Sequence, residues 1–112
     1  MNRKTPVKFT NMCMIYDGQG NVLVEEKLVQ NSKGLIFPGD HVESNESVAK
    51  SMIREIKEKT GLTISNLQFC DIKDWIEYDG SSYMVFLYKT STYSGRIQYS
   101  SEGKYAGCHL KS

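Results

Sequence analysis

The sequence predicts one α/β domain of the α+β kind. A single segment, 47–60, has helical periodicity; several apolar runs rich in β-formers flank it; and Gly-centred turns separate those runs. A chain of 112 residues is enough for one domain, so 1–112 is read as a single unit.

Residues 7–16 read as a strand, and Asp17-Gly18-Gln19-Gly20-Asn21 is a strong turn signal. The run 22–29 then returns as the second arm of a predicted hairpin. After a polar loop, Leu35-Ile36-Phe37 is a short apolar strand that stops at Pro38-Gly39. In the helix 47–60, Val48, Ala49, Met52, Ile53 and Ile56 share a face, Ser47 or Asn45 can cap the start, and Gly61 suits a left-handed stop. The runs 67–77 and 82–90 are strands joined by the turn Tyr78-Asp79-Gly80-Ser81. Residues 83–88 lack polar alternation, which predicts cover on both faces. The helix can supply one cover. The polar tail 95–112 has no periodic apolar face, so a second subunit, hence a homodimer, or sequence outside this chain is expected to supply the other.

Composition narrows the function. With 39% hydrophobic and 24% charged residues the chain reads as a soluble globular protein, and a net charge of +1 gives no field that would hold nucleic acid or an anionic membrane. The basic N-terminus is followed by no long apolar stretch, so neither a signal peptide nor a membrane span is expected. Cys13, Cys70 and Cys108 are odd in number and lack metal-ligand spacing; reduced thiols in a cytoplasmic protein are the reading.

The helix also presents a chemical surface. The centre of its apolar face lies near Met52 and Ile56; Glu55 lies about 90° from it, Glu58 about 150° and Lys59 about 50°. A carboxylate at a core boundary costs free energy unless compensated. Spacing alone leaves two readings open. One is a pair of ion pairs, Glu55 with Lys59 and Arg54 with Glu58, each contributing about 0.3–0.5 kcal/mol. The other is a metal-binding flank with Glu55 and Glu58 as oxygen donors.

The order of residues adds a resemblance. Over 40–62, Asp40, Glu46, Arg54-Glu55-Ile56, Glu58-Lys59 and Gly61-Leu62 keep the spacing of the Nudix box, and Phe37-Pro38-Gly39 precedes it. With Thr10-Asn11-Met12-Cys13-Met14 and 85–90, the segment resembles the MutT-like bacterial branch of the Nudix family, the 8-oxo-dGTP diphosphatases. The resemblance implies an α/β/α sandwich with a mixed sheet, here expected to lack the C-terminal helix. It implies hydrolysis of a nucleoside diphosphate linked to another group, in a DNA-repair role if the substrate is 8-oxo-dGTP, by water activated on Mg²⁺ or Mn²⁺. By position, the metal ligands would be the Gly39 carbonyl, Glu55, Glu58 and Glu102. Glu55 would also orient or deprotonate water, and Arg54 would hold a box carboxylate. Glu46 and Gly61 would shape the loop and the helix end.

Two box positions depart from the pattern. Asp40 stands where the family has Gly, with an expected strain of ~1 kcal/mol if the backbone there is left-handed. Lys59 replaces a Glu that the resemblance makes a metal ligand. A charged Lys has no lone pair, and its repulsion of a unit positive charge at 4 Å is roughly 4 kcal/mol at an effective dielectric of 20. A weakened or altered metal site is therefore expected, with Glu43, Glu58 and Glu102 as partial compensation. Aromatics in hairpin strands more often serve core or cross-strand packing, but Trp75, ahead of Tyr78, Tyr83 and Tyr88, is the first choice to stack on a base; His41 after the Gly turn can reach a phosphate or shape the loop, and Phe37 before it is a candidate substrate contact. The competing function is a Nudix-fold nucleotide-binding module that has lost catalysis.

Overall fold

The structure is a computed structural model. It describes residues 6–29, 32–98 and 105–111, with the backbone alone given for 26–29, 32–35 and 105–111. The elements run β1 (Val7–Ile15), β2 (Val22–Val29), β3 (Ser32–Ile36), α1 (Val48–Thr60), β4 (Thr63–Ser65), β5 (Gln68–Ile76), β6 (Ser82–Thr90), β7 (Thr92–Ser94) and β8 (Tyr105–Lys111). One sheet is mixed, in the order β1-β6-β5, with β1 parallel and β5 antiparallel to β6. A second is antiparallel, β3-β2-β8, and β4 pairs with β7 in a short ribbon.

The predicted hairpin between 7–16 and 22–29 does not form as a ladder. Tyr16 and Val22 make one bridge, and the strands then enter different sheets. The connecting turn is still as strongly built as its residues suggest. Asp17 Oδ1 accepts from Gln19 N at 2.8 Å and Asn21 N at 3.2 Å, and Gly18 and Gly20 take left-handed φ of 80° and 91°. A wide loop with its own internal bonds can redirect the chain instead of pairing its arms.

Ser47 caps α1 by accepting from Lys50 N at 3.2 Å, and Gly61 ends it at φ 84° with its N–H bonded to the Lys57 carbonyl. The core joins Met52 and Ile56 to Cys13 and Ile15 of β1, Leu23 of β2, Leu62 and Ile64. The buried arc is turned from the predicted one. Ile53 is 36% exposed and Ala49 is exposed, whereas Ser51 is buried and Glu55 is 6% exposed. The reason is that the helix meets two surfaces. Met52 and Ile56 face the core, and Ser51 faces β1, where Asn11 Nδ2 donates to Ser51 Oγ at 3.3 Å.

Two other expectations are corrected. The helix packs chiefly on β4, β1 and β8, so it is not the cover expected for 83–88, of which only Val85 is buried within this chain. The tail 95–112 contains a strand, β8, which pairs antiparallel with β2 from Val22↔Lys111 to Lys27↔Tyr105. In this strand Ala106, Cys108 and Leu110 alternate with Gly107, His109 and Lys111, a short period-2 signal that the helical-face reading of the tail passed over, and the edge of β2 supplies its partner.

Candidate active site

The site is built on the segment 37–42, which runs along β1 almost as an extra strand. Asn11 N donates to the Asp40 carbonyl at 3.0 Å, Cys13 N to the Pro38 carbonyl at 3.0 Å, and Val42 N to the Phe9 carbonyl at 2.9 Å. The Asn11 side chain completes the clamp by accepting from Asp40 N at 3.1 Å. Gly39 is required by this close approach. A Cβ there would lie 2.7 Å from Asn11 C and 2.8 Å from Met12 Cα, both backbone atoms. Asp40 has no left-handed backbone, so the strain expected of it is absent. Its carboxylate accepts from His41 N at 2.8 Å and faces His41 Nδ1 at 3.0 Å.

A cleft of about 190 Å³ opens on one side of this segment. It brings together all three residues expected to meet a substrate, Phe37, His41 and Trp75, with Asn11, Gly39, Asp40 and Tyr83. Trp75 and Tyr83, paired across β5 and β6, stack at 4.6 Å and 15°, and His41 meets the edge of the Tyr83 ring at 6.2 Å. Trp75 is nearly half exposed, so this platform is open to a ligand.

On the helix side, Arg54 organises the acidic residues. Its Nη2 lies 2.6 Å from Glu46 Oε1 and its Nε 2.9 Å from Glu46 Oε2, a bidentate pair. Its Nη1 reaches Glu55 Oε1 at 2.7 Å and Glu58 Oε2 at 3.1 Å. The guanidinium holds the Glu46 carboxyl down at about 2, and Glu46, first among the carboxylates, holds the guanidinium charged. Burial, and then the nearby Asp40 charge, push the Glu55 carboxyl above its ordinary range. Glu58 is exposed, and Glu43 is exposed at 3.6 Å from Arg54.

Lys59 takes an unforeseen place. Its Nζ donates to the Gly39 carbonyl at 2.8 Å and lies 3.3 Å from Asp40 Oδ2 and 4.0 Å from Glu25 Oε1. The carbonyl expected to ligate a metal thus carries an ammonium. Glu102 lies outside the described residues. Among the described residues no three His, Cys, Asp or Glu side chains converge as a metal cradle. Glu55 and Glu58 each meet Arg54 through one oxygen, but the Gly39 carbonyl is taken by the Lys59 ammonium, so these residues do not fit a divalent ion on that carbonyl.

Ser51 and Glu25 escaped the sequence reading, and Asn11 entered it only as part of the resemblance, with no role. Asn11 is a polar residue inside an apolar strand, and Glu25 follows buried Leu23 by two positions, which puts it on the same strand face. Both signals were available.

The model of the NUDIX domain family matches residues 8–108, nearly the whole chain. This chain belongs to the Nudix family. The Nudix chain is 39% identical over 74 residues to the uncharacterized Nudix hydrolase YvcI of Bacillus subtilis, a match covering 62% of this chain and 47% of that protein. It is 27% identical over 79 residues to the phosphatase NudJ of Escherichia coli K12, covering 70% of this chain and 51% of that protein. The chain therefore spans about half the length of these curated relatives. Among solved structures, a MutT NUDIX hydrolase from Burkholderia pseudomallei superposes with a TM-score of 0.79 at 19% identity, covering 93% of this chain and 81% of that one. A mutator MutT protein from Bacillus halodurans gives 0.73 at 28% identity, covering 89% and 67%. The described Nudix fold thus has one helix and a mixed sheet, and among the described residues no helix is long and apolar enough to cross a membrane.

Proposed function

We propose that this Nudix chain binds a nucleoside diphosphate linked to a second group and hydrolyses the diphosphate. One observation carries the reading: the aromatic cleft and the acidic helix flank meet at one wall. Gly39 and Asp40 line the cleft and also touch Lys59 of α1, next to buried Glu55. A base lying against Trp75 in the cleft that Phe37 and His41 also line leaves its phosphates at the Gly39–Asp40 turn, beside Lys59. The broad Trp75–Tyr83 surface suits a purine. Together with the MutT-like box, this favours a purine nucleoside triphosphate, 8-oxo-dGTP among them, cleaved to the monophosphate and pyrophosphate.

In the chemical step a water oxygen bonds to phosphorus, the bridging P–O bond breaks, and the departing phosphate leaves with its electron pair. In this reading Glu55 takes the water's proton, the Lys59 ammonium supplies positive charge toward the phosphates, and Arg54 holds the box carboxylates. Nudix hydrolases use a divalent metal such as Mg²⁺ or Mn²⁺, but the described residues do not fit one on the Gly39 carbonyl, and each role above belongs to a side chain of this chain.

The test is product release from a panel of nucleoside triphosphates and diphosphate-linked nucleosides, with Mg²⁺, with Mn²⁺ and with chelator. Glu55→Gln is expected to lower the rate about 100-fold or more. No turnover across the panel, or an unchanged rate in Glu55→Gln, ends this reading. The Lys59 bond to Gly39 favours a second one: a nucleotide-binding module without turnover. That module is stabilised against heat by nucleotide in chelator, and stabilisation seen only with divalent metal counts against it.

A further inference from the structure

We propose that the Lys59 ammonium is a tethered cation that takes the place of a divalent ion on the Gly39 carbonyl, so that no such ion binds there. The contact is built into the site. Nζ donates to the Gly39 oxygen at 2.8 Å, with Asp40 Oδ2 at 3.3 Å and Glu25 Oε1 at 4.0 Å, and the Lys59 side chain is only 14% exposed. An ammonium is a compact charge with several donor protons and no lone pair to share with a metal. Mg²⁺ sits closer to a carbonyl oxygen than a hydrogen-bonded nitrogen does, at ~2.1 Å. On the line that Lys59 holds, it would overlap the ammonium itself.

The surroundings fit a resident single charge. Glu25, buried on β2, supplies a fixed carboxylate behind Lys59, and Asp40 supplies a second at the cleft wall. Gly39 cannot retreat from the contact, because its backbone is pressed against Asn11 and Met12. The positive charge is therefore held where the turn meets the cleft, and the phosphates of a nucleotide can be met there without a divalent ion. This last step rests on the function proposed above; the occupancy of Gly39 by Lys59 does not.

Mn²⁺ binding to the nucleotide-free protein, followed by electron paramagnetic resonance, tests the occupancy alone. The unmodified protein is expected to show no Mn²⁺ site tighter than about 1 mM, and Lys59→Glu to bind Mn²⁺ at least tenfold more tightly. Lys59→Ala removes both the donor and the charge without adding a carboxylate, so it guards against misfolding of the Glu variant; a gain of several-fold is expected there. Micromolar Mn²⁺ binding by the unmodified protein, or no gain in a folded variant, overturns the proposal. In a parallel arm, ADP titrated in chelator is expected to bind as it does with Mg²⁺, and a requirement for Mg²⁺ overturns the metal-free contact. Failure of ADP to bind in either condition falls on the nucleotide reading, and the Mn²⁺ measurement still decides Lys59.

Discussion

Substituting Gly39 by Ala tests how the Nudix loop is held. The new methyl carbon would meet Asn11 C at 2.7 Å and Met12 Cα at 2.8 Å, and no rotamer change relieves a collision with backbone. The loop must lift off β1. That movement breaks the flanking bonds from Asn11 N to the Asp40 carbonyl and from Cys13 N to the Pro38 carbonyl, both 3.0 Å. Each contributes about 1 kcal/mol net, and each buried N–H left without a partner costs about 1–3 kcal/mol. Partial relaxation brings the total to roughly 3–5 kcal/mol, a large share of the ~5–15 kcal/mol by which a domain is stable. Gly80→Ala is the control: it has φ 84° and nothing within 4 Å, so it isolates the backbone term of ~1 kcal/mol. Urea unfolding followed by the fluorescence of Trp75, the single tryptophan, reads both variants. A Gly39→Ala protein no less stable than Gly80→Ala would show that the loop is not pressed on β1.

Two further outcomes follow from the charges. The Glu46 carboxyl sits near 2 when folded, against 4.5 as an ordinary carboxyl, because Arg54 bonds its charged form. A lowered folded value means that the stabilisation is complete above about 4.5 and is lost as pH falls through about 2. The stability gap between the unmodified protein and Glu46→Gln should thus be full at neutral pH and close across that window; a gap independent of pH in urea unfolding would contradict the pairing. Burial, with a smaller contribution from Cys70, pushes the Cys13 thiol up to about 12, whereas Cys70 is exposed. In a Cys108→Ser background a thiol reagent should label one cysteine per native chain, at residue 70, and Cys13 only after unfolding; labelling of native Cys13 would refute its burial.

Local chemistry decided much of this protein in advance. The helix bounded by Ser47 and Gly61 and the 78–81 turn between β5 and β6 follow from capping, turn geometry and periodicity. Such signals reside in a few neighbouring residues and survive in a bare string of letters. Pairing between distant segments was not determined that way. Nothing near 7–16 says that it will join β6 in parallel while 22–29 leaves for another sheet, and the short alternation Ala106, Cys108, Leu110 names no partner until the edge of β2 offers one. The turned helix has the same origin: Glu55 is buried and Ile53 exposed because β1 and the loop on it stand on that side.

The box itself is divided in the same way. Spacing located Arg54, Glu55 and Lys59, and it showed that Lys59 changes the charge of the site. Only the folded chain could bring that ammonium 2.8 Å from an oxygen twenty residues earlier and set a carboxylate from β2 behind it. A hydrogen bond or ion pair depends on the distance between atoms through space, and the fold, not the sequence spacing, sets that distance.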